Sequence, residues 1–403
     1  MGNCPQFSKM STHASLNMKS PITFTRYLYL KDEVELSLMI SLLNKKDSAI
    51  YWAFELYYSG FEVELFQHLW KIYYDFYYTL NPSFQEYFVK KYKEWTKCCS
   101  NKTGDRECII ALIVGDLLIR PHNLDVFMLR QAIGYYTPQK EDLLLPKAIP
   151  ELLDTRDYLC IADFILERNP ANIISTFKEA IAYFLKKGIK IDEEKVVKRW
   201  KKFAGYLEID QKVQLLAFIM QNFSQLSDIK MGKKLYISVE QHDLVIYETI
   251  FKSAETNYRA YKILPLAYLY AIDEDNYLSL FKLERNKVLM DDPDGLRKIY
   301  WYNWEYYASF SPVWLQRIQK CKGKHNHETK RIEFPEDEEI DWPEEFYSQY
   351  GYEPDEQKRE IQEKSIKKIE RERNWEQFFL ENGKNGLFKP DSSLLTEMKF
   401  VVY

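Results

Sequence analysis

Apolar positions in this chain recur at three and four residues in short blocks, and each block stops at a residue type that cannot continue a helix. Val34, Leu38, Met39 and Leu42 share one face of a predicted helix. Asp32 and Glu35, three apart, mark its start as a capping box, and residues 44–47 end it. Residues 48–58 predict a second helix that carries Tyr51, Trp52, Phe54, Leu56, Tyr57 and Tyr58 nearly all round and stops at Gly60. A helix apolar on every side is buried on every side. Leu65, Leu69, Ile72 and Phe76 predict a third, ending before Pro82, which opens the next.

The same grammar predicts helices over 105–120, stopped by Pro121; 157–168, stopped by Pro170; 171–187, stopped by Gly188; then 192–203 and 211–226. The fold class is all-α. Helices of this length and spacing imply an irregular alpha-solenoid of HEAT-like stacked helical hairpins, each hairpin burying its face against its neighbours. No sequence signature repeats at a fixed period, so an irregular helical bundle is the competing arrangement. Short strand candidates at 234–239, 331–334 and 398–402 are too few for a principal sheet.

The pattern changes near residue 230. A helical stretch at 243–271 contains Pro265, which kinks or breaks it, and an Asp/Pro cluster at 291–295 precedes a helix predicted over 296–310. Residues 332–345 hold eight acidic residues and no basic one, with Pro335 and Pro343 opposing regular structure. A charged helix follows after Pro354 to about 381, with Glu363 and Lys367 paired four apart. The expected organisation is a leader at 1–22, a helical-repeat domain at 23–230, a second aromatic-rich helical region at 231–330, an acidic linker at 331–352, and a charged helix and tail at 353–403.

Composition sharpens this picture at three points. Aromatic residues make up 16% of 403 positions against only 13 glycines, which suits a ring-packed scaffold better than folds built on glycine-rich phosphate or nucleophile turns. The formal charge of -4 provides no global attraction for nucleic acid or an anionic membrane, so any such binding needs a local patch. The six cysteines are irregularly spaced, which implies a reducing compartment, and no apolar run reaches the roughly 18 residues of a spanning helix. Membrane attachment is expected only through myristoylation at Gly2 with palmitoylation at Cys4, although Gln6 stands where such a signal wants Ser or Thr.

The common catalytic motifs (phosphate loop, dinucleotide fold, nucleophile elbow, zinc-protease pair) are missing from the sequence, so no catalytic residue, metal ligand or cofactor is assigned. Cys98, Cys99 and Cys108, and Cys321, His325 and His327, lack the paired spacing of a zinc site. His68 and His122 read as structural. Asp273–Asp275 and 291–294 read as helix caps.

Two patches stand out as binding candidates. Lys195, Lys198, Arg199 and Lys202 recur along one helix with Trp200 among them and Lys186, Lys187 and Lys190 just before; this is either a face for a phosphate backbone or acidic peptide, or a solvated helix surface. The second patch is the run of rings between 300 and 314, of which Trp301, Trp304 and Tyr307 are the binding candidates, with a helix buried all round as the alternative. Trp342, Phe346 and Tyr347 add apolar rings to the acidic stretch, either as a docking peptide or as pins holding the tail to its own body.

Residues 25–29 (Thr-Arg-Tyr-Leu-Tyr), 55–61 (Glu-Leu-Tyr-Tyr-Ser-Gly-Phe), 73–77 (Tyr-Tyr-Asp-Phe-Tyr), and 345–347 with 352–357 together resemble an uncharacterised helical protein family of nucleocytoplasmic giant DNA viruses, Mimivirus-like relatives. That resemblance spans most of residues 23–380. It implies the host cytoplasm, in a viral factory, with virion incorporation as a further expectation, and it supplies no functional residue. The function expected is a non-catalytic scaffold for protein–protein interaction in a viral replication cycle, of the kind that organises translation initiation or associates with RNA. The alternatives are an RNA-binding protein using the Lys186 to Lys202 face, a virion structural component, or an enzyme with an unrecognised site. Viral or host proteins are the expected partners, with RNA as the second class.

Overall fold

A computed structural model describes residues 22–101, 106–136, 149–168, 172–203, 210–248, 280, 281, 283, 294–350 and 373–398. The fold is all-α, with one two-stranded sheet among the described residues. The helices are α1 (Lys31–Leu43), α2 (Ser48–Tyr58), α3 (Glu62–Ile72), α4 (Phe84–Asn101), α5 (Arg106–Leu118), α6 (Asp125–Ala132), α7 (Ile149–Thr155), α8 (Tyr158–Leu166), α9 (Ile173–Lys186), α10 (Glu193–Phe203), α11 (Gln211–Leu226) and α12 (Gln241–Glu248). After these come α13 (Gly295–Tyr302), α14 (Trp304–Ala308), α15 (Pro312–Lys320), the strands β1 (Lys324–Asn326) and β2 (Arg331–Glu333), α16 (Trp342–Tyr350), α17 (Trp375–Asn382) and α18 (Ser392–Glu397). No described helix is long and apolar enough to cross a membrane.

Two hydrophobic cores organise these elements. The larger takes α1 to α12 and the segment 375–398, and the smaller takes α13 to α16. Residues 22–30 serve both: Tyr27 and Tyr29 enter the larger core, whereas Ile22, Phe24, Leu28 and Leu30 enter the smaller. The stretch folds back on itself, with Leu28 N donating to Thr25 O at 3.0 Å, Leu28 at φ +60 and Phe24 bridged antiparallel to Leu30, and this tight turn is how one short stretch reaches both cores.

The local stops act as the residue types dictate. Gly60 closes α2 at φ +90, a left-handed conformation that glycine adopts without a Cβ penalty. The third helix does not simply end before Pro82. It widens into a π-turn at Tyr73–Tyr77, where Tyr78 N donates to Tyr73 O at 2.7 Å and all five side chains are buried. Inside it Asp75 meets Arg130 of α6, which donates to both carboxylate oxygens at 2.7 and 2.6 Å.

Packing reaches across the sequence. Helix α11 contacts α6, α8, α9 and the π-turn, so the large core is assembled from distant elements as well as from consecutive hairpins. The segment 375–398 joins it: Trp375 and Phe378 pack on Phe127 of α6. Asp125 accepts from Leu387 N and Phe388 N, both at 3.0 Å.

Several local expectations differ from the structure. The capping box at Asp32 and Glu35 does not form, because the cap of α1 lies two residues earlier, at Leu30. Asp32 accepts from Glu33 N at 2.8 Å, and Glu35 pairs with Lys31 at 2.5 Å. The helix expected over 296–310 breaks at Asn303, whose side chain donates to Lys330 O at 2.8 Å and turns the chain between α13 and α14. Residues 331–333 do form a strand, antiparallel to 324–326. Residues 234–239 do not; they run along α5, with Ile237 N donating to Asp116 at 3.0 Å and Arg120 donating to Leu235 O at 2.6 Å. Gly2, Cys4, Pro265, Asp273–Asp275, residues 291–293, Glu363, Lys367 and 399–402 lie outside the described residues.

Candidate functional site

Helix α10 sorts its residues by face. Asp192 caps it by accepting from Lys195 N at 3.0 Å. Val196, Val197 and Trp200 turn toward the large core, while Lys195, Lys198 and Lys201 stay exposed. The side chain of Lys202 lies outside the described residues. Lys186, Lys187 and Lys190 are exposed as well, and of these Lys187 is paired with Asp154 at 2.8 Å. Two of the sequence candidates therefore leave the surface: Arg199 is half-buried in an ion pair with Glu86, and Trp200 is buried against Phe177 with ring centroids 3.8 Å apart.

Beneath that helix lies a cleft of about 160 Å³, bounded by the π-turn, the start of α4, the 189–192 link, α9, α10 and α11. Its walls combine rings (Tyr74, Tyr78, Trp200) with side-chain amides (Gln85, Gln214, Gln221), and Lys190 and Arg199 also border it. Gln85 is satisfied, donating to the Tyr74 hydroxyl at 2.6 Å. Trp200 Nε1 and Gln214 Nε2 have no hydrogen-bond partner, although both residues are deeply buried, at 6% and 4% exposure. A buried donor without an acceptor costs about 1–3 kcal/mol. Burial holds the Tyr74 hydroxyl far above the usual phenol range, so it stays protonated.

Sequence reasoning finds Arg199 and Trp200 but not the amide wall. The signal is present: Gln214, Gln221 and Gln225 stand at i, i+7 and i+11 on one face of α11.

The aromatic candidates form core rather than open surface. Trp304, Tyr307, Phe346 and Tyr347 are buried, and Trp301 is half-buried under the Arg297 guanidinium at 5.1 Å. Trp304 stacks on Phe346 at 6.0 Å and meets Trp314 edge-on at 5.3 Å. The acidic stretch is thereby pinned to its own body. Trp342, half-buried, donates from Nε1 to Asp337 at 3.1 Å and lies under Lys322 at 4.4 Å.

The histidines of the small core form a local hydrogen-bond set. Ser309 Oγ lies 2.6 Å from Tyr306 O and 2.6 Å from His325 Nε2. Cys321 is a buried free thiol, and no cluster of three metal-ligating side chains occurs among the described residues. His68 hydrogen-bonds Glu35 O at 2.7 Å, and burial lowers both it and His122 to about 4.

Two pairs of neighbouring large apolar side chains stand in the open. Leu235 and Tyr236 are 53% and 47% exposed, and Val245 and Ile246 on α12 are 55% and 66% exposed. The first pair is backed by α4 and α5. Tyr236 packs on Tyr87 at 4.5 Å between centroids, and a Cβ on Gly115 would collide with Ile237.

Comparison with known proteins supplies no relative: no family model, curated protein or solved structure matches the chain.

Proposed function

We propose that this protein is a non-catalytic helical scaffold that binds other proteins, and that Leu235, Tyr236, Val245 and Ile246 are contact residues. The observation that supports this reading is the exposure of Leu235 and Tyr236 on backbone anchored to α5 by Asp116 and Arg120, with Val245 and Ile246 exposed on α12. Anchored, exposed apolar area is the usual raw material of a protein interface. Leu235→Asp with Ile246→Asp should abolish a nuclease-resistant, stoichiometric complex that can be rebuilt from purified components, while the circular dichroism spectrum stays unchanged. A complex that survives both substitutions rejects these contact residues. A viral setting, with a cytoplasmic factory or the virion as its compartment, enters this reading only through the sequence resemblance.

The exposed lysines favour a second reading, RNA binding. Lys186, Lys190, Lys195, Lys198 and Lys201 are exposed, and no ion pair engages them among the described residues. Lys195→Glu with Lys198→Glu should weaken RNA binding and flatten its salt dependence. An unchanged isotherm rejects that reading.

A further inference from the structure

We propose that Arg317, held in a corner of two aromatic rings where the two cores meet, anchors a binding site for an oxyanion. Its guanidinium carbon lies 4.4 Å from the centre of the Trp314 ring and 5.2 Å from that of Tyr350, and the two rings stand at 80° to each other. The ring faces orient the cation without supplying a carboxylate or carbonyl to its donors. Among the described residues, no side chain or backbone carbonyl accepts a hydrogen bond from Arg317 and no acid pairs with it. The side chain is half-buried, yet its nitrogens remain open to solvent, unlike the sealed Nε atoms of Arg106 and Arg297.

The charges around Arg317 specify the ligand. Arg26 repels it and Glu55 attracts it. Glu55 is already committed: Oε2 pairs with Arg26 Nε at 2.9 Å, and Oε1 accepts from Tyr27 N at 3.1 Å. On α16, which carries Tyr350, the Glu345 carboxylate accepts from Gln349 instead. Burial lowers Arg317 from the usual guanidinium value, but an arginine remains charged at neutral pH. The result is a fixed, partly desolvated cation whose donors have no protein acceptor. A guanidinium fork matches the paired oxygens of a carboxylate or phosphate and holds them bidentately. This chemistry reaches the site from two sources, a free small oxyanion or an acidic side chain of a bound protein. The second source rests on the scaffold reading above, and the first does not.

The test is calorimetric titration of the full-length chain with inorganic phosphate, acetate and hexaglutamate at constant ionic strength in chloride. The probes are repeated on Arg317→Lys, which keeps the charge but not the fork, on Arg317→Met, which removes both, and on Lys195→Glu/Lys198→Glu. Saturable binding of at least one probe is expected, weakened roughly five- to tenfold in Arg317→Lys and lost in Arg317→Met. Binding of phosphate or acetate identifies a free anion, and binding of hexaglutamate alone identifies an acidic partner side chain; both support the site. If Arg317→Met fails to fold, the Nε–H resonance of Arg317 in the nitrogen-15-labelled parent decides: a saturable shift with the bound probe supports the site, and an unmoved resonance overturns it. Binding that persists unchanged in Arg317→Met and disappears in the lysine variant overturns the site and assigns the anion to the outer lysine face. No binding of any probe overturns it outright. The Leu235→Asp/Ile246→Asp complex assay reads the scaffold separately, so either proposal can fail alone.

Discussion

Arg26 Nε lies 2.9 Å from Glu55 Oε2 with both side chains buried, and this ion pair sits where the two cores meet. Glu55 also accepts from Tyr27 N at 3.1 Å, Arg26 N donates to Ser59 Oγ at 2.7 Å, and Arg26 Nη2 donates to Tyr247 O at 2.9 Å. One residue before Arg26, Thr25 O accepts from Trp314 Nε1 of the small core at 2.9 Å. Removing one member strands a buried charge, which costs about 3–5 kcal/mol, whereas replacing both with apolar residues is far milder. Glu55→Ala should therefore lower the urea midpoint strongly, and Arg26→Met/Glu55→Leu should recover much of the loss. Equal destabilisation by the single and double variants contradicts this account.

Gly60 tests the same joint by shape. Its φ is +90, and a Cβ at this position would lie 2.6 Å from Pro312 Cβ, which leaves no room for a side chain. Gly60→Ala should cost more than about 1 kcal/mol in denaturant unfolding. Gly188→Ala shares the positive φ but meets open space, so it should cost less.

Asp125 holds the C-terminal segment. Asp125→Ala should expose the Leu387 and Phe388 amides to rapid hydrogen exchange while the amides of α2 stay protected. Retained protection at 387 and 388 would show that Trp375 and Phe378 dock the segment without the carboxylate.

Glu305 sets an alkaline limit on stability. Burial raises its carboxyl to about 7, and the Arg331 guanidinium at 3.0 Å opposes that shift without cancelling it. A folded value above the unfolded one means the contribution is complete below about 4.5 and fades as pH rises through 7. Glu305→Gln should remove this loss and raise stability at pH 8 by about 3 kcal/mol relative to the parent. Chemical denaturation at pH 5 and pH 8 measures it.

His68 acts in the opposite direction. Burial lowers it to about 4, so its contribution is present above about 6.5 and is lost as pH falls toward 4. His68→Gln should flatten the acid limb of the stability profile by about 3 kcal/mol. An unaltered acid limb would assign that limb to His122, which is lowered to the same value.

Much of the larger core is legible along the chain because its helices announce themselves locally. Gly60 ends α2 where its residue type predicts, and α11 spans 211–226 as its apolar spacing predicts. The break at Asn303 is not legible: a helical spacing runs through 296–310, and the break depends on a carbonyl at Lys330 that only the folded chain brings near. The amide stripe of α11 is readable as a pattern, but its opposition to Trp200 and Tyr74 is not.

By itself, the sequence determined the all-α class, many of the helix boundaries and which residues share a helical face, since these follow from backbone periodicity and from the local conformational limits of glycine and proline. Tertiary structure alone decided what covers each face. It buried Trp304 against Phe346, turned Trp200 inward, left Leu235 and Ile246 in the open, and joined Arg26 to Glu55. Burial belongs to pairs of surfaces distant in sequence, and no local spacing encodes the partner that removes a side chain from water.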